Sequence, residues 1–309
     1  VVGVYSGVAG SAAIAVAVPT LVQHVSTPLT RAISPGLNIY LPNKSLSHNC
    51  LIVAVRFGAG PGVTTSVSDD QGNTYSAGPA VTTLQDQNLS LFYALNARPG
   101  VQHITVSFAG GLADRVTAAA SEWFNIALTS AVDGSSHAES PSATFTWAAG
   151  SMTTTTSGDL VYQAASDEKG FVGRYDSFTA GSGFALASAD LVDGLVTQYT
   201  VQRAPGVINP TVAVNGSGAY ASVAVALKAA AAGTAPGPGI RIVHLHNGNT
   251  GTGTATVPIQ APSSGNLLVF AMTRDTDVTL TGIADWEAWD IARDIALRLA
   301  RLESRGRAC

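Results

Sequence analysis

The chain has 309 residues, enough for two ordinary domains and a substantial buried core. Only 12% of them are charged and 7% aromatic, while Gly, Ala, Ser, Thr and Val dominate, a balance common in secreted or virion β-rich proteins and unlike a typical cytosolic enzyme. A net charge of −4 with only three lysines, Lys44, Lys169 and Lys228, provides no broad cationic surface for the counterion release that drives nucleic-acid affinity, so no nucleic-acid partner is expected.

The first thirty residues contain no Asp, Glu, Lys or Arg. They lack the basic region that opens a signal peptide. Their length would allow a membrane helix, but Gly3, Gly7, Gly10, Pro19 and the β-branched valines disfavour one, and no membrane span is expected. Residues 1–32 read instead as an apolar, strand-like segment. Val1, Val2, Val4, Tyr5 and Val8 are its candidate assembly residues, because apolar side chains left in water need a cover.

Residues 33–228 read as strands and turns. Asn49 precedes the apolar run of Cys50, and that cysteine reads as a small buried residue; a bridge to Cys309 would require the end of the chain to reach a core strand. The turn "SDDQGN" places Asp69, Asp70 and Asn73 in a tight loop. These are hard oxygen ligands that calcium accepts, and they are also what a β-turn prefers. "LSLFYAL" from Leu89 and "HITVSFA" from His103 are strand-like, and "ARPG" and "NGSG" read as turn punctuation. "RVTAAASEWFNIA" ends this unit with Trp123 as a core residue. In "TFTWAAG", Trp147 alternates with threonines, so it falls on either face: a core side chain, or an exposed platform for a sugar ring.

"SHNCLIVAV", "SGDLVYQAA" and "SSGNLLVFAM" share a Ser, an Asn or Asp and an apolar run. Aligning Asn49, Asp159 and Asn266 gives intervals of 110 and 107 residues. The ending "AYASVAVALKAA" from Ala219 matches "RVTAAASEWFNIA", and the opening "VVGVYSGVAG" looks like the same ending without a beginning. The expectation is two related units over 33–228, an Ala/Gly/Pro linker over 229–239 and a partial third unit over 240–282. Within the last of these, "HLH" sets His244 and His246 on one strand face, about 7 Å apart by strand rise; they read as half-exposed strand histidines, or as two of the three ligands a metal would need.

Residues 283–309 change period. Trp289, Ala292, Ile295, Ala296, Leu299 and Leu302 form one apolar stripe on a helix expected from about Asp285 to Ser304, with acidic residues early and arginines late. Trp286, Trp289, Ile295, Leu299 and Leu302 are candidate assembly residues. No nucleophile elbow, phosphate loop, zinc-protease or paired-cysteine motif occurs, and no enzymatic activity is expected.

The segments "VVGVYSGV", "SDDQGNTYSAG", "LSLFYALNARPGVQHITVSF" and "GNLLVFAM" resemble the tandem jelly-roll or immunoglobulin-like β-sandwich modules of bacterial secreted and cell-surface proteins and of phage virion proteins, over roughly residues 33–282. The resemblance implies antiparallel β-sandwich modules, extracellular, cell-surface or virion placement, and partners that are further copies of the chain, neighbouring surface proteins or glycans. The C-terminal helix departs from that pattern. No cofactor is expected beyond calcium at the Asp69 loop.

Overall fold

The computed structural model describes residues 18–31, 36–60, 62–82, 87–167, 177–191 and 194–230. The expected helix, the third partial unit and residues 1–17 lie outside the described residues. The described part of the chain is β throughout, with all strand pairing antiparallel.

The strands, in chain order, are β1 (Thr20–Ser26), β2 (Gly36–Tyr40), β3 (Cys50–Gly58), β4 (Thr64–Asp69), β5 (Ser76–Thr82), β6 (Gln87–Ala94), β7 (His103–Ala109) and β8 (Asp114–Phe124). There follow β9 (Val132–Ala148), β10 (Met152–Thr154), β11 (Asp159–Asp167), β12 (Phe178–Ala180), β13 (Ala185–Ala189), β14 (Leu195–Gln202), β15 (Gly206–Ile208) and β16 (Thr211–Leu227). One sheet runs β1-β8-β3-β6-β5 and is covered by a small sheet, β2-β7-β4. A second large sheet runs β9-β16-β11-β14-β13, with β12 also on β16, and has a two-stranded companion, β10-β15. Each strand number in the second large sheet is eight higher than its counterpart in the first. Asn49 stands just before β3 and Asp159 opens β11, both without exposed surface.

β3 and β11 are buried along their whole length, which is why neither alternates apolar with polar residues along its length. On β3, Leu51, Val53, Val55 and Phe57 face a core shared with Ile39, Ile104, Val106 and Phe108 of the small sheet. The alternate residues Cys50, Ile52 and Ala54 face the other way, into a core shared with Leu160, Tyr162 and Ala164 of β11. The two large sheets therefore pack on each other through their inner faces, with Trp123 edge-on to Tyr162 and Tyr199 at the centre.

The outward core of the second half differs from that of the first. Gln163 donates to Ser222 Oγ and to the Trp147 carbonyl, while Gln198 Nε2 donates to Gln163 Oε1 and the Thr211 carbonyl. This fully buried polar chain separates the apolar cluster around Trp147 from the one around Met152 and Val161.

Three boundaries differ from the sequence reading. β1 lies inside the expected N-terminal segment, yet it pairs with β8, so residues 20–26 belong to the first large sheet. "NGSG" is not a turn. It lies within β16, where Gly216 at φ 119° takes up a bulge and the register against β9 shifts. The expected linker begins pinned: Ala229 bridges Ile126 and the Ala230 amide donates to the Asn125 carbonyl.

Candidate functional site

The aromatic candidate from the sequence is not at the surface. Trp147 is 0% exposed, stacked on Tyr220 and tilted against Phe178, so it has no free face to offer a sugar. Its position on β9 opposite Val212 of β16 points it into the outward core of the second half. This corrects the platform reading.

The "SDDQGN" loop is tied internally. Asp69 Oδ1 accepts from the amides of Gln71 and Asn73, and Oδ2 accepts from Asn73 Nδ2 and the Tyr75 hydroxyl. Asp70 accepts from the Gln102 amide, and Asn73 Oδ1 from the Arg98 amide. Burial, reinforced by the Asp69 carboxylate beside it, pushes the Tyr75 hydroxyl well above its ordinary value, so Tyr75 remains a donor to Asp69. The loop acts as a clamp between β4 and the β6–β7 turn, and no cluster of three or more metal-ligating His, Cys, Asp or Glu side chains occurs among the described residues. His244, His246, Val1, Val2, Val4, Tyr5, Val8, Trp286, Trp289, Ile295, Leu299 and Leu302 lie outside the described residues. Cys50 is a buried free thiol.

Two features that sequence reasoning did not find are the strongest chemistry on the chain. The first is a buried carboxylate anchor in each half. On β8, Glu122 is 0% exposed and accepts from Gln23 Nε2 at 2.5 Å, the Leu46 amide at 2.7 Å and Asn49 Nδ2 at 2.6 Å. It fastens the loop that leads into β3. The loop into β11 is fastened by a different strand. Asp133, at the irregularity where β9 pairs with β16, accepts from the amides and hydroxyls of Thr155 and Thr156, with Lys228 Nζ at 3.5 Å. Thr156 Oγ1 also donates to Asp159 Oδ1 at 2.6 Å.

Asp133 and Asp159 meet at Thr156, whose hydroxyl lies 3.4 Å from Asp133 Oδ2 and 2.6 Å from Asp159 Oδ1. Burial would raise the Asp133 carboxyl, but the hydrogen bonds from Thr155 and Thr156 outweigh it and hold the group below the usual carboxylate range. Asp159 is pushed up to about 6 by burial first, against the Thr156 bond that lowers it, with Asp133 beside it adding to the rise. Because Asp159 has no exposed surface, this arrangement is closed to a substrate and acts on the fold.

The second feature is the outer face of the small sheet β2-β7-β4. Alternation places Tyr40 and Asn38 of β2, His103 and Thr105 of β7 and Ser66 and Ser68 of β4 on one face. Tyr40 is 63% exposed and stacks on His103 with ring centroids 5.7 Å apart and an interplanar angle of 22°. Thr105 Oγ1 donates to Asn38 Oδ1 and lies 3.3 Å from His103 Nε2. An uncharged, hydroxyl-rich plane with one fixed aromatic ring results. The alternating pattern of "HITVSFA" contained this face, but the side that met solvent was set by the neighbouring sheet. Comparison with protein-family models gives no match, and comparisons with curated proteins and with solved structures give none either.

Proposed function

We propose that this chain is a non-enzymatic structural subunit of an extracellular or virion surface assembly, such as a fibre, decoration or coat, working by self-association and surface binding. In this reading the two halves are related jelly-roll or immunoglobulin-like β-sandwich units in tandem. The observation that carries it is the packing of two equally ordered large sheets on one apolar core, which makes a single block with its small sheets turned outward. Blocks of this kind serve as spacers and building units, and the uncharged sequence at Val1–Val8 and the apolar residues spaced from Trp289 to Leu302 are the candidate contacts to a neighbouring copy.

The test is the solution mass of the purified chain by light scattering, with negative-stain imaging, for the wild type, a deletion of residues 1–8 and Leu299→Asp. An assembly larger than one chain that both changes reduce supports the reading. A monomer unchanged by either overturns it.

A second reading, a glycan-binding module of a secreted adhesive or carbohydrate-active protein, is favoured by one observation, the Tyr40–His103 stack on the polar sheet face. A tyrosine ring held flat by a neighbour offers its face to sugar C–H groups, while Asn38, Thr105, Ser66 and Ser68 supply neutral hydrogen-bonding groups around it.

A further inference from the structure

The two carboxylate anchors can be compared position by position. The Leu46 amide donates to Glu122 in the first half, and the Thr156 amide, 110 residues later, donates to Asp133 in the second. At the next shared position the halves differ. Asn49 uses its amide Nδ2 to donate to Glu122, whereas the residue at that place in the second half, Asp159, has no N–H to give. Its Oδ1 is taken by Thr156, and its buried Oδ2 meets no N–H or hydroxyl donor. A carboxyl can donate to a carboxylate only through its own proton.

We propose that Asp159 works as a protonated donor to Asp133, so that the second half is closed by a proton-dependent clamp where the first half is closed by a permanent one. The groups that face the pair are few. Asp133 comes from β9, Lys228 from the chain just after β16, Thr155 and Thr156 from the loop, and the residue opposite Asp159 on β14 is the uncharged Gln202. Lys228 neutralises one carboxylate and no second cation among the described residues is recorded against the pair. When Asp159 ionises, its proton leaves to solvent and two carboxylates confront one ammonium, which pushes the loop away from β9.

The clamp also sits at the joint of the chain. Lys228 hydrogen-bonds through its backbone to Ala127 and Ala131, in the connection between the halves, and the next two residues pair with Ile126 and Asn125. Loosening the pair therefore loosens the connection between the halves as well as one loop.

The sign follows from the direction of the two shifts. Asp159, raised on folding, contributes stability that is complete below its unfolded value and is lost as pH rises through about 6. Asp133, lowered on folding, contributes stability above its unfolded value and loses it only in stronger acid. The clamp is tightest in mildly acidic solution.

The test is a pair of exchanges in the full chain, Asp159→Asn and Asn49→Asp, followed by thermal melting and amide exchange from about pH 5 to about pH 7.5. Neither exchange changes a histidine, so the difference between variants isolates the clamp. Wild type should lose protection at the Thr155 and Thr156 amides by about tenfold or more across that range, beyond the intrinsic rate change. Asp159→Asn should hold protection constant there and melt higher than wild type at the upper pH. Asn49→Asp should create the same loss at the Leu46 amide. The proposal is overturned if Asp159→Asn follows the wild-type pH profile, or if Asn49→Asp leaves the Leu46 amide indifferent to pH; the second variant decides the matter should the first fail to fold.

Discussion

Replacing Glu122 by alanine tests the anchor of the first half directly. The carboxylate has three donors, but they do not lose equally. Gln23 Nε2 keeps a second acceptor, the Asn43 carbonyl at 3.0 Å, so it is not stranded. Asn49 is 0% exposed and loses the partner of its Nδ2, at a cost of about 1–3 kcal/mol for a buried donor left unmade. The Leu46 amide, on a half-buried residue, can turn to water and loses about 1 kcal/mol net. Relief of the carboxylate's own burial offsets part of this, and about 2–3 kcal/mol of destabilisation remains, a large share of the ~5–15 kcal/mol typical of folded proteins. Urea unfolding should then show a lower midpoint with an unchanged slope, and amide exchange should show the loss first at Leu46. Glu122→Gln, which keeps one acceptor oxygen, should fall between the two proteins. If Glu122→Ala unfolds within about 0.5 kcal/mol of wild type, the carboxylate is not what holds this loop.

Tyr40 and Trp147 should separate binding from stability. Tyr40→Ala, at a ring 63% exposed, should leave the melting temperature nearly unchanged and abolish any retention on immobilised polysaccharide, whereas Trp147→Ala should cost about 3–5 kcal/mol by emptying a packed core site; a reversed pattern would remove the sheet face as a glycan site. Cys50, whose thiol is pushed up by complete burial, should resist a maleimide in the native Cys309→Ser protein and react only after unfolding, as mass spectrometry of the labelled chain would show. For the Asp133–Asp159 clamp, a rise of Asp159 from 3.8 to about 6 corresponds to about 3 kcal/mol at most over the whole span from strong acid to neutral solution; roughly half of that falls between about pH 5 and about pH 7.5, or roughly 3–6 °C in melting temperature for a region of this size, and a pH-independent difference between wild type and Asp159→Asn would contradict it.

Much of the local structure was determined by residue pattern. "HITVSFA" alternates and is a strand with one buried face, "CLIVAVRFG" runs apolar and is a strand buried on both, and the "SDDQGN" turn follows from Asp and Gly chemistry. Asn49 and Asp159 could be matched because their flanks repeat and short polar residues suit the entry to a strand. Pattern could not say that Trp147 faces inward, because alternation in "TFTWAAG" defines two faces without saying which one a neighbouring strand will cover. It placed a turn at "NGSG", where β16 instead absorbs the glycines as a bulge, since strand pairing on both sides outweighs a local turn preference. The carboxylate anchors were decided by tertiary structure alone. Glu122 meets Leu46 and Asn49 across more than seventy residues, and Asp133 meets Thr155 and Asp159 across more than twenty. A carboxylate's worth depends on the donors around it and on the water removed from it, and both are set only when distant strands close over the same point.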